Sequence, residues 1–373
     1  MSNTIIKVGI AGFGRSGCGI HANQIKGDGE HFQITGVADN LPERRKDAAD
    51  QFGCKVYEDY HQLLDAGGFD LFINATPSRF HAEAVIAALD NGYNVLSEKP
   101  FATNLADFDR MAAAAKKSGT VLYPFQNSRF YEFFVKMREI IASGVLGEIV
   151  FIRTNWGGFA RRWDWQTLQS ESGGNLLNTG PHPVDQAVML FGDDYPQVFC
   201  KMYANHHPFD GDAQNFCALI LHGEGRPTIE IMLNSFQAIP IGDDMFNVSG
   251  TRGGLAGGPS GLRWKYFKPE DAPVREMWGP WSLDRQYCSE TLPWIEESCT
   301  FVDNTSRVTG TGDIVNALYT NLYDVITKGA AQEITLDQVR RQVYVMEEAH
   351  KQNPLPTRQA DQTTRQRESS YIK

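Results

Sequence analysis

The sequence predicts an α/β protein with two domains. A parallel, doubly wound sheet comes first, and an α+β domain with an open, largely antiparallel sheet follows. The chain has 373 residues, whereas single hydrophobic cores stop growing at about 250 to 300 residues. Strand-like and helix-like segments alternate up to about residue 125, which is typical of a parallel sheet. Beyond about residue 148, strand-like segments follow one another with few helical patterns between them, which indicates an antiparallel sheet.

The first strand, residues 5–11, leads into a glycine-rich turn and then a helix. The turn reads Gly-Phe-Gly-Arg-Ser-Gly, and in a chain with 35 glycines this spacing alone is weak evidence. The second strand, 32–38, strengthens the case because it ends on Asp39, where an acid accepts hydrogen bonds from adenosine ribose hydroxyls and repels a 2′-phosphate. Together these features predict a Rossmann domain that prefers NAD to NADP. The predicted cofactor-binding residues here are Gly12, Phe13, Gly14, Arg15, Ser16, Asp39 and Arg44.

NADP is not excluded by these residues. An arginine just beyond the second strand can accept a 2′-phosphate, and Arg44 and Arg45 both follow Asp39 closely.

The alternation continues with strands at 69–77, 94–100 and 120–126, separated by helical segments. Ligands of open α/β sheets bind beyond the carboxyl ends of the strands. The residues at these ends are therefore predicted to contact the cofactor: Ala75, Thr76, Pro77, Glu98, Lys99 and Gln126.

The second domain begins after about residue 125. Helical patterns near 311–328 and 336–351 close the fold. We expect an NAD-binding domain over 1–125, a substrate-binding and oligomerisation domain over 126–353 whose C-terminal helix packs back on the first domain, and a polar tail over 354–373.

The composition excludes several classes of function. A formal net charge of -10 argues against nucleic-acid binding, which depends on clustered Lys and Arg. No apolar run approaches the ~20 residues that a membrane span needs, and the N-terminus does not read as a secretory signal, so a cytoplasmic protein is expected. The six cysteines form no C-x-x-C pair, so neither a metal cluster nor a disulfide framework is predicted.

Lys99 is the first candidate for chemistry. It falls at the end of a parallel strand, where ligands bind. An isolated lysine is usually a solvated surface group. Buried beside a cofactor, however, it can hydrogen-bond a substrate hydroxyl, and desolvation lowers its pKa.

The segment "SGGNLLNTGPHPVDQ" contains the second group of candidates. Pro181 suits the first turn of a helix, and Asn178 or Thr179 suits its N-cap. His182 and Asp185 then share one face, and the helix dipole favours the neutral imidazole, which can accept a proton. The alternatives are that His182 is a structural residue and that Asn178 serves only as a cap.

The neighbouring "ARRWDWQ" is rich in tryptophan and arginine. Flat aromatic faces next to charged donors suit a pyranose ring, so Arg162 and Trp163 are predicted to bind substrate. The alternative is that Trp163 and Trp165 are packing residues.

Several stretches together carry a resemblance to a known family. They are "GIAGFGRSG", "VADN", "INATPSRFHAEAVIAALDNGYNVLSEKPFATN", "GVLGEIVFI" and "SGGNLLNTGPHPVDQAVMLFG". With them the sequence resembles, over nearly its whole length, the Gfo/Idh/MocA oxidoreductases, named for glucose-fructose oxidoreductase and inositol dehydrogenase. The resemblance implies a Rossmann domain followed by a mixed domain whose open sheet often supports dimers or tetramers. It also implies reversible hydride transfer between a nicotinamide and a carbon bearing a hydroxyl, usually on a sugar or cyclitol.

The resemblance also implies roles for single residues. By motif match, Lys99 corresponds to the lysine of the family's E-K-P, His182 to the proposed acid/base and Asp185 to a substrate-binding acid, and the Lys99–Pro100 bond is implied to be cis. Many members have Asp where this chain has Asn178, and an amide cannot exchange protons. Proton transfer then falls to His182, with Lys99 assisting and Asn178 binding a hydroxyl.

These observations favour an NAD-dependent dehydrogenase that acts on a sugar, glycoside or cyclitol and forms a homodimer or homotetramer. One alternative is an enzyme that retains its NAD and uses transient oxidation to cleave a glycosidic bond. The other is a non-enzymatic nucleotide-binding regulator on the same fold, against which Lys99 and His182 argue.

Overall fold

The computed structural model of the chain describes residues 4–159, 161–204, 211–239, 244–275, 285–301 and 313–357. Most of the tail predicted at 354–373 lies outside these ranges, as do the first two residues of the helix predicted near 311–328.

The first sheet has six parallel strands in the order β3-β2-β1-β4-β5-β6. The order reverses beside β1, which pairs with both β2 and β4, and a crevice at such a reversal is where ligands bind. The sequence did not indicate β3, because its three residues are exposed or half-buried and carry no clear apolar pattern. The strands are β1 Ile6–Ala11, β2 Phe32–Ala38, β3 Lys55–Tyr57, β4 Leu71–Asn74, β5 Asn94–Ser97 and β6 Leu122–Pro124.

Helices separate these strands, and their ends follow local rules. The longest of them begins where the Asn104 side chain accepts a hydrogen bond from the Asp107 N–H at 2.8 Å, and it ends at Gly119 with φ 70°. The helix after the glycine turn starts with a π-helical segment, Gly17–Ala22. The helices are α1 Asn23–Gly27, α2 Pro42–Phe52, α3 Tyr60–Ala66, α4 His81–Asp90 and α5 Leu105–Ser118.

The second sheet has eight strands in the order β14-β13-β12-β11-β7-β10-β9-β8. Its pairs are antiparallel except β7 with β10, which confirms the predicted fold class. The sequence pattern indicates the first five strands in chain order, β7 to β11, but not the last three, of which β12 is rich in glycine. The strands are β7 Ile149–Gly157, β8 Gln197–Tyr203, β9 Phe216–His222, β10 Thr228–Asn234, β11 Phe246–Gly250, β12 Gly253–Gly258, β13 Gly261–Tyr266 and β14 Ile295–Thr300.

One face of this sheet is covered by helices. Along β10, buried residues alternate with half-buried ones, and the buried ones face the helices. The covering helices are α6 Glu132–Ala142, the single turn α7 Asn175–Asn178 and α8 Pro181–Phe191.

Two C-terminal helices, α9 Asp313–Lys328 and α10 Leu336–Gln352, return to the first domain. In α9, Tyr319 packs edge-on against Phe32 of β2 with ring centroids 5.3 Å apart. In α10, Glu347 accepts a hydrogen bond from the N–H of Leu105 at 2.7 Å, and the last residue, Gln352, accepts one from the N–H of Cys200 on β8 at 2.9 Å. The helix α10 therefore connects both sheets.

Among the described helices, none has the length and apolar character needed to cross a membrane.

Candidate active site

In the glycine turn after β1, two glycines have no room for a side chain, because other backbone atoms occupy the position of a Cβ. Gly12 has φ +85°, and a Cβ there would lie 2.4 Å from the carbonyl oxygen of Ala75. A Cβ on Gly17 would lie 1.9 Å from the oxygen of Gly12. At Gly14 the nearest atom is the Arg44 guanidinium at 3.4 Å, so packing within the protein does not require this glycine. Its missing side chain leaves the backbone open to a ligand.

The other residues of the turn that are predicted to bind the cofactor differ in how far their side chains are exposed. The side chain of Phe13 is buried against Phe52, so only the backbone of Phe13 borders the turn. Arg15 is exposed, and Ser16 stands at the start of the π-helical segment without a capping bond from its side chain.

Asp39 joins the end of β2 to this turn. Its carboxylate accepts hydrogen bonds from the N–H of Phe13 at 2.7 Å and from the N–H of Leu41 at 2.9 Å. The guanidinium of Arg44 lies 3.4 Å away and is partly exposed, whereas Arg45 is turned to the carbonyl of Asp39 at 2.8 Å. Arg44 is thus the arginine that remains near the carboxylate.

The loop after β4 and the turn after β5 are held together by a histidine that the sequence analysis did not identify. His81 is buried, with Nε2 2.9 Å from the oxygen of Thr76 and Nδ1 2.7 Å from the oxygen of Pro100. Burial lowers the pKa of His81. Ala75 and Thr76 therefore border the glycine turn as part of a fixed loop, and Pro77 follows them in that loop.

Lys99 lies at the junction of the two domains. The Lys99–Pro100 peptide bond is cis, and Nζ donates a hydrogen bond to the carbonyl of Asn178 at 3.0 Å. Burial lowers the pKa of Lys99, Glu98 opposes this, and the positive charges of Arg15 and Arg162 lower it further. The lysine is therefore not a solvated surface group.

His182 lies in the first turn of α8. Its ring stacks on Trp156 with centroids 5.9 Å apart and an interplanar angle of 17°. Burial, together with the charge of Lys99, lowers the pKa of His182 to about 3 against the opposing effect of Glu98. Within the described ranges, its Nδ1 is buried without a hydrogen-bond partner. The imidazole is therefore neutral at physiological pH and able to accept a proton.

The predicted capping role of Asn178 and Thr179 is wrong. The short helix α7 runs almost directly into α8, so Gly180 is the N-cap, with helical φ -57° and ψ -27° and no side-chain cap. The Asn178 amide instead donates to Gln166 Oε1 at 3.0 Å.

The substrate-binding role that the resemblance implies for Asp185 does not fit its surroundings. Asp185 is fully buried, and its two oxygens accept from Nε and Nη2 of Arg129 at 2.6 and 2.7 Å. Since both oxygens are paired, the geometry contradicts a substrate-binding role. The next residue, Gln186, donates to the carbonyl of Ser128 at 2.8 Å, so this face of α8 anchors the helix.

A small polar pocket lies beside Asn178. Arg162 lines it and donates a hydrogen bond to Gln166. Trp163, in contrast, is 80% exposed and does not line the pocket, because its side chain extends into solvent. No described lining residue is an acid, and five are amides: Gln166, Asn175, Asn178, Gln214 and Asn215.

Two residues predicted to bind the cofactor have side chains engaged within the protein. The carboxylate of Glu98 is buried, accepts from the N–H of Lys99 at 2.9 Å and lies 3.3 Å from Nε2 of His21. Gln126 is fully buried and donates to Oε1 of Gln342 at 3.0 Å. The partners His21 and Gln342 are distant in sequence, and no local pattern identifies them.

A glycine turn and a paired acid on a doubly wound sheet, next to a second domain with a polar pocket, define a two-domain dinucleotide-binding protein. The chain belongs to the GFO/IDH/MocA oxidoreductase family. Residues 6–125 match the family's NAD-binding Rossmann domain, and residues 134–256 match its C-terminal domain.

Two of the curated relatives are inositol dehydrogenases. The chain is 30% identical over 196 residues to the myo-inositol 2-dehydrogenase of Thermotoga maritima, a match that covers 52% of this chain and 57% of that protein. It is 23% identical over 356 residues to the NADP(+) scyllo-inositol 2-dehydrogenase IolW of Bacillus subtilis, covering 92% of each. The chain spans about half the length of several curated relatives that it matches, 51 to 57%.

A solved relative shares the fold. The WlbA dehydrogenase of Bordetella pertussis, in complex with NADH and UDP-GlcNAcA, superposes with a TM-score of 0.72 at 17% identity, covering 96% of this chain and 100% of that one. The site fits NAD, because the backbone at Gly14 is open and Asp39 is fixed beside the turn. Gly12, Gly14 and Asp39 are the residues that would hold the cofactor.

Proposed function

We propose that this protein catalyses reversible hydride transfer between NAD and a secondary hydroxyl of a sugar, glycoside or cyclitol. One observation carries the proposal. Lys99 of the dinucleotide-binding domain donates at 3.0 Å to the carbonyl of Asn178, four residues before His182 of the second domain. The two candidate groups therefore meet at the domain junction, where the carboxyl ends of the parallel strands bring a cofactor close.

Lys99 and His182 have complementary roles in this reaction. When bound, NAD supplies the hydride acceptor. The neutral imidazole of His182 accepts the proton of the substrate hydroxyl, and the ammonium of Lys99 polarises the same oxygen. The stack on the half-buried Trp156 fixes the imidazole plane, so proton transfer requires little rearrangement.

The pocket beside Asn178 supports a polyhydroxylated substrate. An amide offers both donors and an acceptor, so amide side chains pair with hydroxyls without charge. Arg162 adds a cationic donor at the rim. The names of the two inositol dehydrogenase relatives agree with this class of substrate.

A cofactor-coupled substrate panel tests the proposal. Sugars, glycosides and inositols are incubated with NAD and separately with NADP, and the absorbance of the reduced cofactor is followed, with His182→Ala as the blank. We expect NADH to accumulate with at least one member, faster with NAD because Asp39 repels a 2′-phosphate. Product formation without free NADH would favour the NAD-retaining glycoside-cleaving alternative instead.

A further inference from the structure

The side chain of Gln214 forms part of the wall of the polar pocket beside Asn178. Gln214 lies two residues before β9 and is 3% exposed, and its backbone carbonyl accepts from the N–H of Asn175 at 2.8 Å. Gly174 lines the same pocket with φ +105°, and a Cβ there would overlap the Gln214 amide, with Oε1 nearest to it. The missing side chain at position 174 therefore leaves room for this amide oxygen at the pocket.

The nitrogen of the same amide faces a histidine on α10. Nε2 of Gln214 lies 3.4 Å from Nε2 of His350, and Nδ1 of His350 lies 2.8 Å from the carbonyl oxygen of Met346. Since a carbonyl has no hydrogen to donate, the proton between His350 and Met346 belongs to Nδ1. Burial lowers the pKa of His350 against the opposing effect of this hydrogen bond, so the imidazole is neutral and its Nε2 only accepts. The Gln214 amide must then turn its N–H to His350 and its oxygen away from it.

Two other amides of the pocket are also bound to the protein through their nitrogen. Nδ2 of Asn175 donates to the carbonyl of Asn215 at 2.8 Å and to the Ser235 hydroxyl at 2.9 Å, which uses both of its hydrogens. Nδ2 of Asn178 donates to Gln166. Within the part of the chain that the structure describes, no hydrogen bond reaches Oδ1 of Asn175 or Asn178. The amides of this wall therefore offer mainly acceptors, which suits a ligand whose hydroxyls donate.

We propose that Gln214 is a substrate-binding residue whose Oε1 accepts a hydrogen bond from a hydroxyl of the substrate, and that His350 is the positioning residue that fixes the orientation of this amide. His350 acts from α10, outside the pocket, by accepting from the Gln214 nitrogen. The inference rests on the proposed function, in which a polyhydroxylated substrate occupies this pocket.

The protonated nitrogen of His350 is measured first, without any ligand. Long-range proton–nitrogen correlation spectra of protein with isotope-labelled histidine show which ring nitrogen carries the proton, and the His350 signals are those missing from His350→Gln. We expect the proton on Nδ1 and none on Nε2. A proton on Nε2 overturns the proposal, because that N–H would hold the oxygen of Gln214 instead of its nitrogen.

Equilibrium binding then tests the amide itself. Protein loaded with NADH, which cannot oxidise a hydroxyl, is titrated by calorimetry with myo-inositol, scyllo-inositol, glucose and methyl glucoside. Gln214→Met removes the oxygen at similar length, and we expect the Kd of the tightest probe to rise about fivefold or more because a hydroxyl loses its acceptor. The exposed control Gln51→Met on α2 is expected to match wild type.

A pair of variants at position 350 separates positioning from packing. His350→Phe keeps a flat ring without an acceptor, and we expect it to weaken the binding of the same probe. His350→Gln can place an oxygen near the position of Nε2, and we expect it to restore wild-type affinity. If circular dichroism shows that Gln214→Met is unfolded, this pair decides the outcome.

The outcomes distinguish this inference from the proposed function. An unchanged probe Kd in folded Gln214→Met, or equal losses in His350→Phe and His350→Gln, overturns the inference even where wild type reduces NAD with that probe. The expected changes in Kd without any NADH formed by wild type from NAD support the inference and contradict the proposed hydride transfer. If no probe binds wild type, the inference is overturned.

Discussion

Burial shifts the pKa of both proposed catalytic side chains in the same direction, but the shift suits the proposed role of only one of them. Burial lowers the pKa of both His182 and Lys99 because it disfavours their charged forms. For His182 this secures the neutral imidazole that accepts a proton. For Lys99 burial disfavours the ammonium, whereas the charge of Glu98 favours it.

Asn178→Asp is expected to move the acidic limb of kcat/KM to higher pH. In wild type the pKa of His182 is held at about 3, so the imidazole is neutral and the limb lies well below the usual histidine range. A carboxylate four residues away favours the imidazolium and raises this pKa, so activity at the acid end falls. The measurement is kcat/KM against pH for both proteins.

The control for this series is Asn247→Asp, an exposed position on β11, which carries the same chemical change away from the site. Melting temperatures check that both variants are folded. If the acidic limb lay at the same pH in wild type and Asn178→Asp, the side chain at position 178 would not lie close enough to His182 to affect its pKa.

At the scale of elements, the π-helical segment after the glycine turn has one crowded and one open glycine. The Cβ of an alanine at position 17 would lie 1.9 Å from the oxygen of Gly12, whereas one at position 19 would meet nothing within 4 Å. The close packing of the turn against the segment therefore requires a glycine at position 17.

Gly17→Ala is expected to weaken NAD binding, whereas Gly19→Ala is expected to leave it unchanged. Overpacking costs about 1 to 3 kcal/mol, and where this cost falls on the NAD-bound turn the Kd for NAD in Gly17→Ala rises about fivefold to 150-fold. Fluorescence titration or calorimetry with NAD measures both. Equal affinities in the two variants would show that the turn relaxes freely around the added methyl.

The helix α8 is held by a buried ion pair. Asp185 and Arg129 are nearly inaccessible, and removing one partner of such a pair costs about 3 to 5 kcal/mol because the other charge is left uncompensated. We expect Asp185→Asn to lower the free energy of unfolding by that amount.

The matched control is Asp109→Asn. Asp109 is exposed and pairs with the half-buried Arg340, so a loss within about 1 kcal/mol is expected. Chemical denaturation measures both variants. If Asp185→Asn kept wild-type stability and instead raised the KM for the substrate, the result would support a substrate-binding role for Asp185.

The sequence predicts those parts of this fold that depend on local pattern. The strands β1, β2, β4 and β5 are long or strongly apolar, and the residues at their ends are readable as ligand-binding positions. The partners of Asp185 and Glu98 come from residues 129 and 21, far from either motif. Charge pairing across such separations leaves no local signal, so these two acids were assigned to ligands when they bind the protein itself.

At the scale of the whole molecule, the C-terminal helix α10 connects the two halves of the site. Gln342 is fully buried; its Oε1 accepts from Gln126 at the end of β6, and its Nε2 donates to the carbonyl of Pro181, next to His182. One amide thus links the carboxyl edge of the first sheet to the start of the helix that carries the proposed base.

Gln342→Leu is expected to disturb the relative placement of the two domains. Leucine keeps most of the volume but leaves buried polar partners at Gln126 and Pro181, each of which costs about 1 to 3 kcal/mol when unsatisfied. We expect a lower free energy of unfolding together with a reduced kcat and a nearly unchanged Kd for NAD, because the glycine turn is untouched. The control is Lys351→Ala on the exposed side of the same helix, for which kcat should not change. If Gln342→Leu lost stability yet kept the wild-type kcat well below its melting temperature, the link would be structural only, and the placement of His182 would depend on the contacts of Asp185 and Gln186 instead.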